Sequence, residues 1–413
     1  AADNVVTDVK IMRGEQDVTA YYTLGTPEKG TLEVTKRTVK LTSGSSEKAY
    51  DGSPLTNGTV TPGVDGFASG EGANYSVTGS QTDVGESDNT FTYTLKNGTK
   101  ASNYDITTEA GKLKVTANTT EIIITADSAT RKYNGNPLTK DTFTYTQGVL
   151  ASGDVLEATV EGTITDAGTA DNVVTGYRVT RGQQDVTGNY TFGTPVNGTL
   201  TVNKRDVTLT SSDASKAYDG TPLTKDEVTV SGDGFAGEES ATYDVTGSRT
   251  KVGTSKNTFT YELANGAKAG NYNITTVEGN LTVTKNANTI VITAASDSKT
   301  YDGSPLTNNG YTYTEGVLAS GDVLTATVEG TITDFGTAKN EVTGYKVMNG
   351  GEDVTDNYTF GNSVDGTLSI TKKTVVLTSG DGEKAYDGTA LTNNTVTAEG
   401  FVGNDGAEYD VTG

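Results

Sequence analysis

The chain has 413 residues, a formal net charge of −22, and no Cys, His or Trp. Without Cys and His there is no disulfide framework, no thiolate nucleophile, no zinc site of the usual sulfur type and no Ser-His-Asp or Cys-His catalysis. The acidity argues against nucleic acid and anionic membrane as partners, and no run of about 18 apolar residues is present to span a bilayer.

Taken in order, the chain opens inside a repeat. Residues 1–35 match residues 169–203, with Ala2-Asp3-Asn4-Val5-Val6 reappearing as Ala170-Asp171-Asn172-Val173-Val174. The next landmark is Tyr50-Asp51-Gly52-Ser53-Pro54-Leu55-Thr56. Near-copies begin at Tyr133, Tyr218, Tyr301 and Tyr386, spaced 83, 85, 83 and 85 residues apart. The alternation predicts two kinds of unit, with the pair as the true repeat. Type A spans 36–116, 204–284 and the beginning of a further copy at 372–413. Type B spans 117–203 and 285–371, with 1–35 as the tail of an earlier copy. Both ends fall in mid-unit, so a longer array is expected. Ala1-Ala2-Asp3-Asn4 has neither the basic region nor the apolar core of a signal peptide.

Within each unit the pattern is that of strands. Val39 and Leu41 alternate with Lys40 and Thr42. Phe91, Tyr93 and Leu95 alternate with Thr92, Thr94 and Lys96. Leu113 and Val115 alternate with Lys112, Lys114 and Thr116. Period-two alternation with threonine on the wet side marks half-buried strands. The same phase places Tyr93, Tyr145, Tyr261 and Tyr313 in the core. Type B begins with apolar runs that do not alternate, Glu121-Ile122-Ile123-Ile124-Thr125 and Thr289-Ile290-Val291-Ile292-Thr293. These predict a strand covered on both faces, one packing the core and the other stiffening the joint to the preceding unit, or else an ordinary central strand. Each unit closes on two short strands with a Gly-containing turn, from Asn103-Tyr104 to Thr116 and from Asn189-Tyr190 to Val202, which read as a hairpin. The next unit follows within a few residues, with no flexible linker. The Tyr-Asp-Gly motif itself is turn chemistry, with Tyr and Leu pinning the turn to a small core. Units of this size with six or seven strands predict an all-β chain. The units are small immunoglobulin-like β-sandwiches, with a β-grasp-like sheet as the alternative, arranged as an elongated rod.

Three motifs recur along the chain. They are the Tyr-Asp-Gly-Ser/Thr-Pro-Leu-Thr turn, an Asp-Val-Gly or Asp-Ala-Gly turn after a strand, and the closing Asn-Tyr…Gly-Thr-Leu-Thr-Val. Together they resemble the MBG-type tandem repeats of large bacterial cell-surface, adhesin-like proteins. Asn134 and Ala390 depart from the motif only inside the turn. The resemblance implies an extracellular, wall-attached or secreted bacterial protein with stalk or adhesin repeats. It supplies no catalytic residue.

Candidate chemistry is sparse. Glu238-Glu239, Asp233 and Asp154 are oxygen ligands of the kind calcium takes, but no EF-hand spacing is present. Lys48, Lys216 and Lys384, with Asn103 and Asn271, have the residue types of a Lys–Asn isopeptide cross-link, without an obvious acidic partner. No catalytic, cofactor or metal residue is assigned. The function read from the sequence is a non-enzymatic stalk or filament shaft. The alternative is adhesive repeats that bind host glycan, mucin or protein by weak multivalent contacts. The partners are then neighbouring repeats, a host ligand, or further copies meeting at sheet edges.

Overall fold

The computed structural model describes all 413 residues, in two compact units, Ala1–Asn203 and Lys204–Gly413. Neither contains an α-helix. Both are short strands with single 3₁₀ turns, the latter placed just ahead of the tyrosine that opens the closing strand (Ala101–Asn103, Thr187–Asn189). No helix is long and apolar enough to cross a membrane. The fold is all-β, built from many small sheets.

In the first unit, the strand Arg37–Ser43 lies between Tyr104–Glu109, parallel to it, and Val60–Pro62, antiparallel. A second sheet centres on Gly111–Thr116, with Ser46–Ala49 parallel on one side and Gly85–Asn89 antiparallel on the other. Ala73–Val77 and Phe91–Leu95 pair antiparallel as a two-stranded sheet of their own. Val39, Leu41 and Tyr104 form the buried centre, against Phe67, Tyr75, Phe91 and Tyr93. Residues 117–203 repeat the plan. Asn118–Ile122 runs parallel to Tyr190–Phe192, and Ala129–Lys132 runs parallel to Gly198–Asn203. The long strand Gly168–Arg181 joins that last strand to Asp154–Glu161.

In the second unit, Arg205–Ser211 is parallel to Tyr272–Val277, and Ala214–Ala217 to Gly279–Thr284. Asp297–Thr300 is parallel to Gly366–Thr371. Beyond them, Val376–Ser379 pairs with Val396–Glu399.

Three expectations change. The closing strands do not form a hairpin. Tyr104–Glu109 and Gly111–Thr116 run on with only Ala110 between them, and each pairs with a different sheet. Gly111 allows this crossing, because a Cβ there would lie 2.3 Å from the Ser43 carbonyl oxygen. The Ile run is not covered on both faces. Ile122 and Ile124 are buried, but Ile123 is 39% exposed, at the break between two short strands. The tyrosines assigned to the core stand at its margin: Tyr93, Tyr145 and Tyr261 are half-buried and Tyr313 is exposed.

A buried asparagine that sequence reasoning passed over holds each sheet crossing. Asn89, Asn172, Asn257 and Asn340 are fully buried. Asn89 Nδ2 donates to the Gly44 carbonyl at 2.9 Å and the Asn57 carbonyl at 2.8 Å. Asn172 bonds Asp127 and Lys140 in the same way, at 2.8 and 2.7 Å. Asn257 and Asn340 repeat the arrangement. Each bridges the point where the first segment changes sheets to the loop after the tyrosine motif. Backbone carbonyls buried there would otherwise lack a donor.

A candidate functional site at the joint between repeats

The Tyr-Asp-Gly stretch is a turn, as its residues dictate. Asp51 Oδ1 accepts from the Ser53 amide at 2.9 Å, the Ser53 hydroxyl at 2.7 Å and Lys48 Nζ at 2.7 Å. The Lys48 ammonium, with the serine hydroxyl and amide, holds the Asp51 carboxyl well below the usual carboxylate range. Lys216–Asp219–Thr221, Lys299–Asp302–Ser304 and Lys384–Asp387–Thr389 repeat the arrangement. In the second copy Asn134 takes the aspartate's place and accepts from the Asn136 amide at 3.1 Å.

In the type A repeats the tyrosine that opens the turn does not pin it to its own repeat, whereas Tyr301 of a type B repeat packs on Leu306, Leu368 and Ile370 of its own. Tyr50 is buried in the type B repeat that follows, beside Ile122, Ile124, Val149, Leu156, Val179 and Tyr190. Val115, from the last strand of the same type A repeat, enters with it. At the centre is Asp154, whose side chain is wholly buried. Its Oδ2 accepts from the Tyr50 hydroxyl at 2.8 Å and the Tyr190 hydroxyl at 2.6 Å. Its Oδ1 accepts from Arg181 Nε at 2.7 Å. Arg181 also donates to the Tyr50 hydroxyl and lies over its ring, 5.4 Å from the centroid. The two tyrosine rings meet edge to face, 5.3 Å apart at 83°. The Ala151 amide donates to the Tyr190 hydroxyl at 2.8 Å. Every charge and hydroxyl in the joint therefore has a partner, the condition under which a buried ion pair is tolerated.

Gly52 serves twice here. It has φ of +80°, which the turn requires. A Cβ on it would also lie 2.7 Å from Ala151 Cβ, across the joint.

A second seam runs alongside. Asn189 Oδ1 accepts from the Val84 amide and its Nδ2 donates to Asp83 Oδ1, both at 2.8 Å. These are residues of the Asp-Val-Gly turn in one repeat and the Asn-Tyr motif in the next. Two of the motifs singled out from the sequence thus meet across the joint.

The second unit carries the same joint with altered chemistry. Asp322 Oδ2 accepts from Tyr218 at 3.0 Å and Tyr358 at 2.6 Å. The rings stand 5.5 Å apart at 82°. Asn349 replaces the arginine as donor to Asp322 Oδ1. Val252 donates to Asn357 Oδ1 at 3.0 Å, and Lys251 pairs with Glu352 where the first joint has Asp83 and Gln184.

Burial, followed by the bonded aspartate, raises the hydroxyl pKa of all four tyrosines, Tyr50, Tyr190, Tyr218 and Tyr358; that of Tyr218 is pushed up to about 12. Burial alone would raise Asp154, but hydrogen bonds from Tyr190, Arg181 and Tyr50 outweigh it and leave the carboxyl below its ordinary value.

The calcium candidates are not brought together. Asp154 sits under two tyrosines and an arginine, and Glu239 bonds the Tyr272 hydroxyl. Asp233 Oδ2 accepts from the Asp206 amide at 3.0 Å, and Glu238 is exposed. The isopeptide candidates are also apart in role. The bonded partners of Lys48, Lys216 and Lys384 lie in their own turns. Asn103 is exposed and Asn271 buried.

The sequence matches no protein-family model and no curated protein. Among solved structures, the chain is similar to the protocadherin gamma-B4 extracellular domain at 10% identity and a TM-score of 0.23. That alignment covers 88% of this chain and 74% of the other. Drosophila N-cadherin EC1-4 aligns at 9% identity and 0.19, over 81% and 100%. The human desmocollin-1 ectodomain aligns at 10% and 0.21, over 70% and 69%. At such scores the description of the fold rests on this chain's own sheets.

Proposed function

We propose that the chain is a non-enzymatic stalk segment of a large extracellular bacterial protein, holding other domains at a distance. The observation that carries the reading is the parallel pairing of the first and last segments of a repeat. Two neighbouring segments that run the same way start at one pole and finish at the other. The chain therefore enters a repeat at one end and leaves at the opposite end, roughly 40 Å away for a 13-residue segment. The buried tyrosine joint then passes rigidity from a type A repeat to the type B repeat behind it. The resemblance to MBG-type repeats supports the bacterial surface, and the net charge of −22 keeps neighbouring stalks apart.

Small-angle scattering tests this reading. A rod of about 150–200 Å has a radius of gyration of roughly 45–55 Å, against ~22 Å for a compact globule of this length. A value near the globular figure sinks the proposal.

A second reading, adhesive repeats, is favoured by one specific feature. Tyr177 stacks on Phe192, 4.5 Å apart at 32°, and Tyr345 on Phe360, 4.2 Å apart at 30°. Tyr177 and Tyr345 stay 40% and 42% exposed. Each type B repeat thus presents an aromatic face of the kind that stacks on sugar rings. Binding to mucin glycans is expected to fall at least tenfold, about 1.4 kcal/mol, when Tyr177 and Tyr345 are both replaced by Ala. A blank glycan array with the parent chain removes this reading and leaves the stalk untouched.

A further inference from the structure

We infer that each repeat is a mechanical clamp loaded in shear, and that type A repeats outlast type B repeats under tension. In type A the parallel register runs from Arg37 opposite Tyr104 to Thr42 opposite Glu109. It resumes from Ser46 opposite Leu113 to Ala49 opposite Thr116. The Tyr50 amide closes it on the Thr116 carbonyl at 2.8 Å. Tension along the array draws the first segment toward its own N-terminus and the last toward its own C-terminus. The inter-strand hydrogen bonds of a parallel ladder are evenly spaced and lie across that pull. They share the load and must fail together. Peeling the same strands apart from one end breaks them one after another.

Type B has the same geometry with a poorer ladder. Its register slips between Asn118 and Glu121 and thins to a single bridge at Thr125 and Val196. In the other copy only Thr289 and Ile290 are paired with Thr359 and Phe360 before the bridge at Thr293 and Val364. The second half of the ladder is kept in both copies. Fewer bonds in shear means an earlier yield. The joint fits the same use. Val115 on the last type A strand and Tyr50 beside its end are both packed into the next core, so tension leaving Thr116 passes into packed side chains as well as the connecting peptide.

The inference rests on the stalk reading only for its use in the cell; the clamp is a property of the repeats themselves. Single-molecule force spectroscopy on the whole chain, held at its two ends, tests it. Forced unfolding reads the unfolding barrier. Two classes of rupture are expected, each releasing on the order of 250–300 Å of chain, with the weaker class from type B. The chain lacks cysteine, so a T38C/D105C variant can be gripped at those two thiols alone. These residues face each other at one pole, and pulling there peels the ladder. The rupture force of that repeat is expected to fall several-fold. D206C with N273C, opposite each other in the second unit, repeats the measurement. Unchanged thermal unfolding of either variant shows that the substitution left the fold intact. Equal forces in the two pulling geometries overturn the clamp, and type A yielding before type B overturns the ordering. Neither result bears on the scattering test of the stalk.

Discussion

Replacing Tyr50 with Ala should destabilise the first unit by about 3–5 kcal/mol, the usual cost of truncating a buried aromatic. The ring leaves a void against Tyr190 and Val149, and Asp154 and Arg181 each lose a partner. Tyr50→Phe keeps the ring and removes only the hydroxyl, for about 1–2 kcal/mol. The fifth copy of the motif provides an internal control. Tyr386 is 98% exposed where Tyr50 is 2% exposed, and the 413 residues include no type B repeat after it. Tyr386→Ala should therefore stay within about 0.5 kcal/mol. Urea unfolding of the three variants checks the order. If Tyr50→Ala were as mild as Tyr386→Ala, the joint would hold nothing together. Tyr50→Ala should also change cooperativity. With the shared core emptied, the 36–116 and 117–203 stretches are expected to melt as separate transitions, visible as a broadened urea profile.

Alkali should weaken both joints between about pH 10 and pH 12, where an unfolded chain gives up its tyrosine protons and the buried hydroxyls still hold theirs. A tyrosine whose folded pKa lies above its unfolded value holds its proton more tightly in the native state. Its stabilisation is complete below about pH 10 and is lost as pH rises toward the folded pKa. For Tyr218, raised to about 12, the loss is ~1.4 kcal/mol per pH unit across that window, or roughly 2–3 kcal/mol in all. Tyr358, pushed further up by burial and then by Asp322, continues the slope. Tyr190 and Tyr50 act in the same sense in the first unit. Growing negative charge also opposes folding at high pH, so the titration is repeated in high salt, where exposed charges are screened. A slope that persists belongs to the buried hydroxyls. All 21 tyrosines ionising together near pH 10 with the chain still folded would refute the account. At the acid end the sign reverses. Asp154 is held below its ordinary value, so its contribution is present above about pH 4 and fades as pH falls below it.

Much of this was written locally. The alternation of Val39 and Leu41, or Leu113 and Val115, gave the strand faces, because side chains alternate across a strand whatever it pairs with. The Asp-Gly turn followed from Lys48, Asp51 and Ser53, which satisfy one another within six residues. The spacing of the tyrosines announced the array. The buried asparagines were legible in principle, since Asn89, Asn172, Asn257 and Asn340 keep the 83- and 85-residue spacing. Asparagine is so common in turns that the spacing alone gave no reason to bury them.

The sequence by itself determined the β class, the turn chemistry and the paired repeat, all of which depend on short-range sterics and periodicity. Only the tertiary structure decided that the closing strands part to separate sheets, since pairing partners lie some 70 residues away, as with Tyr104 and Arg37. It alone turned Asp154 from a calcium candidate into the hub of a joint. A carboxylate takes its meaning from what desolvates and bonds it, and Tyr50 reaches it from 104 residues away. Burial and long-range pairing are sums over distant parts of the chain, which no local window of sequence contains.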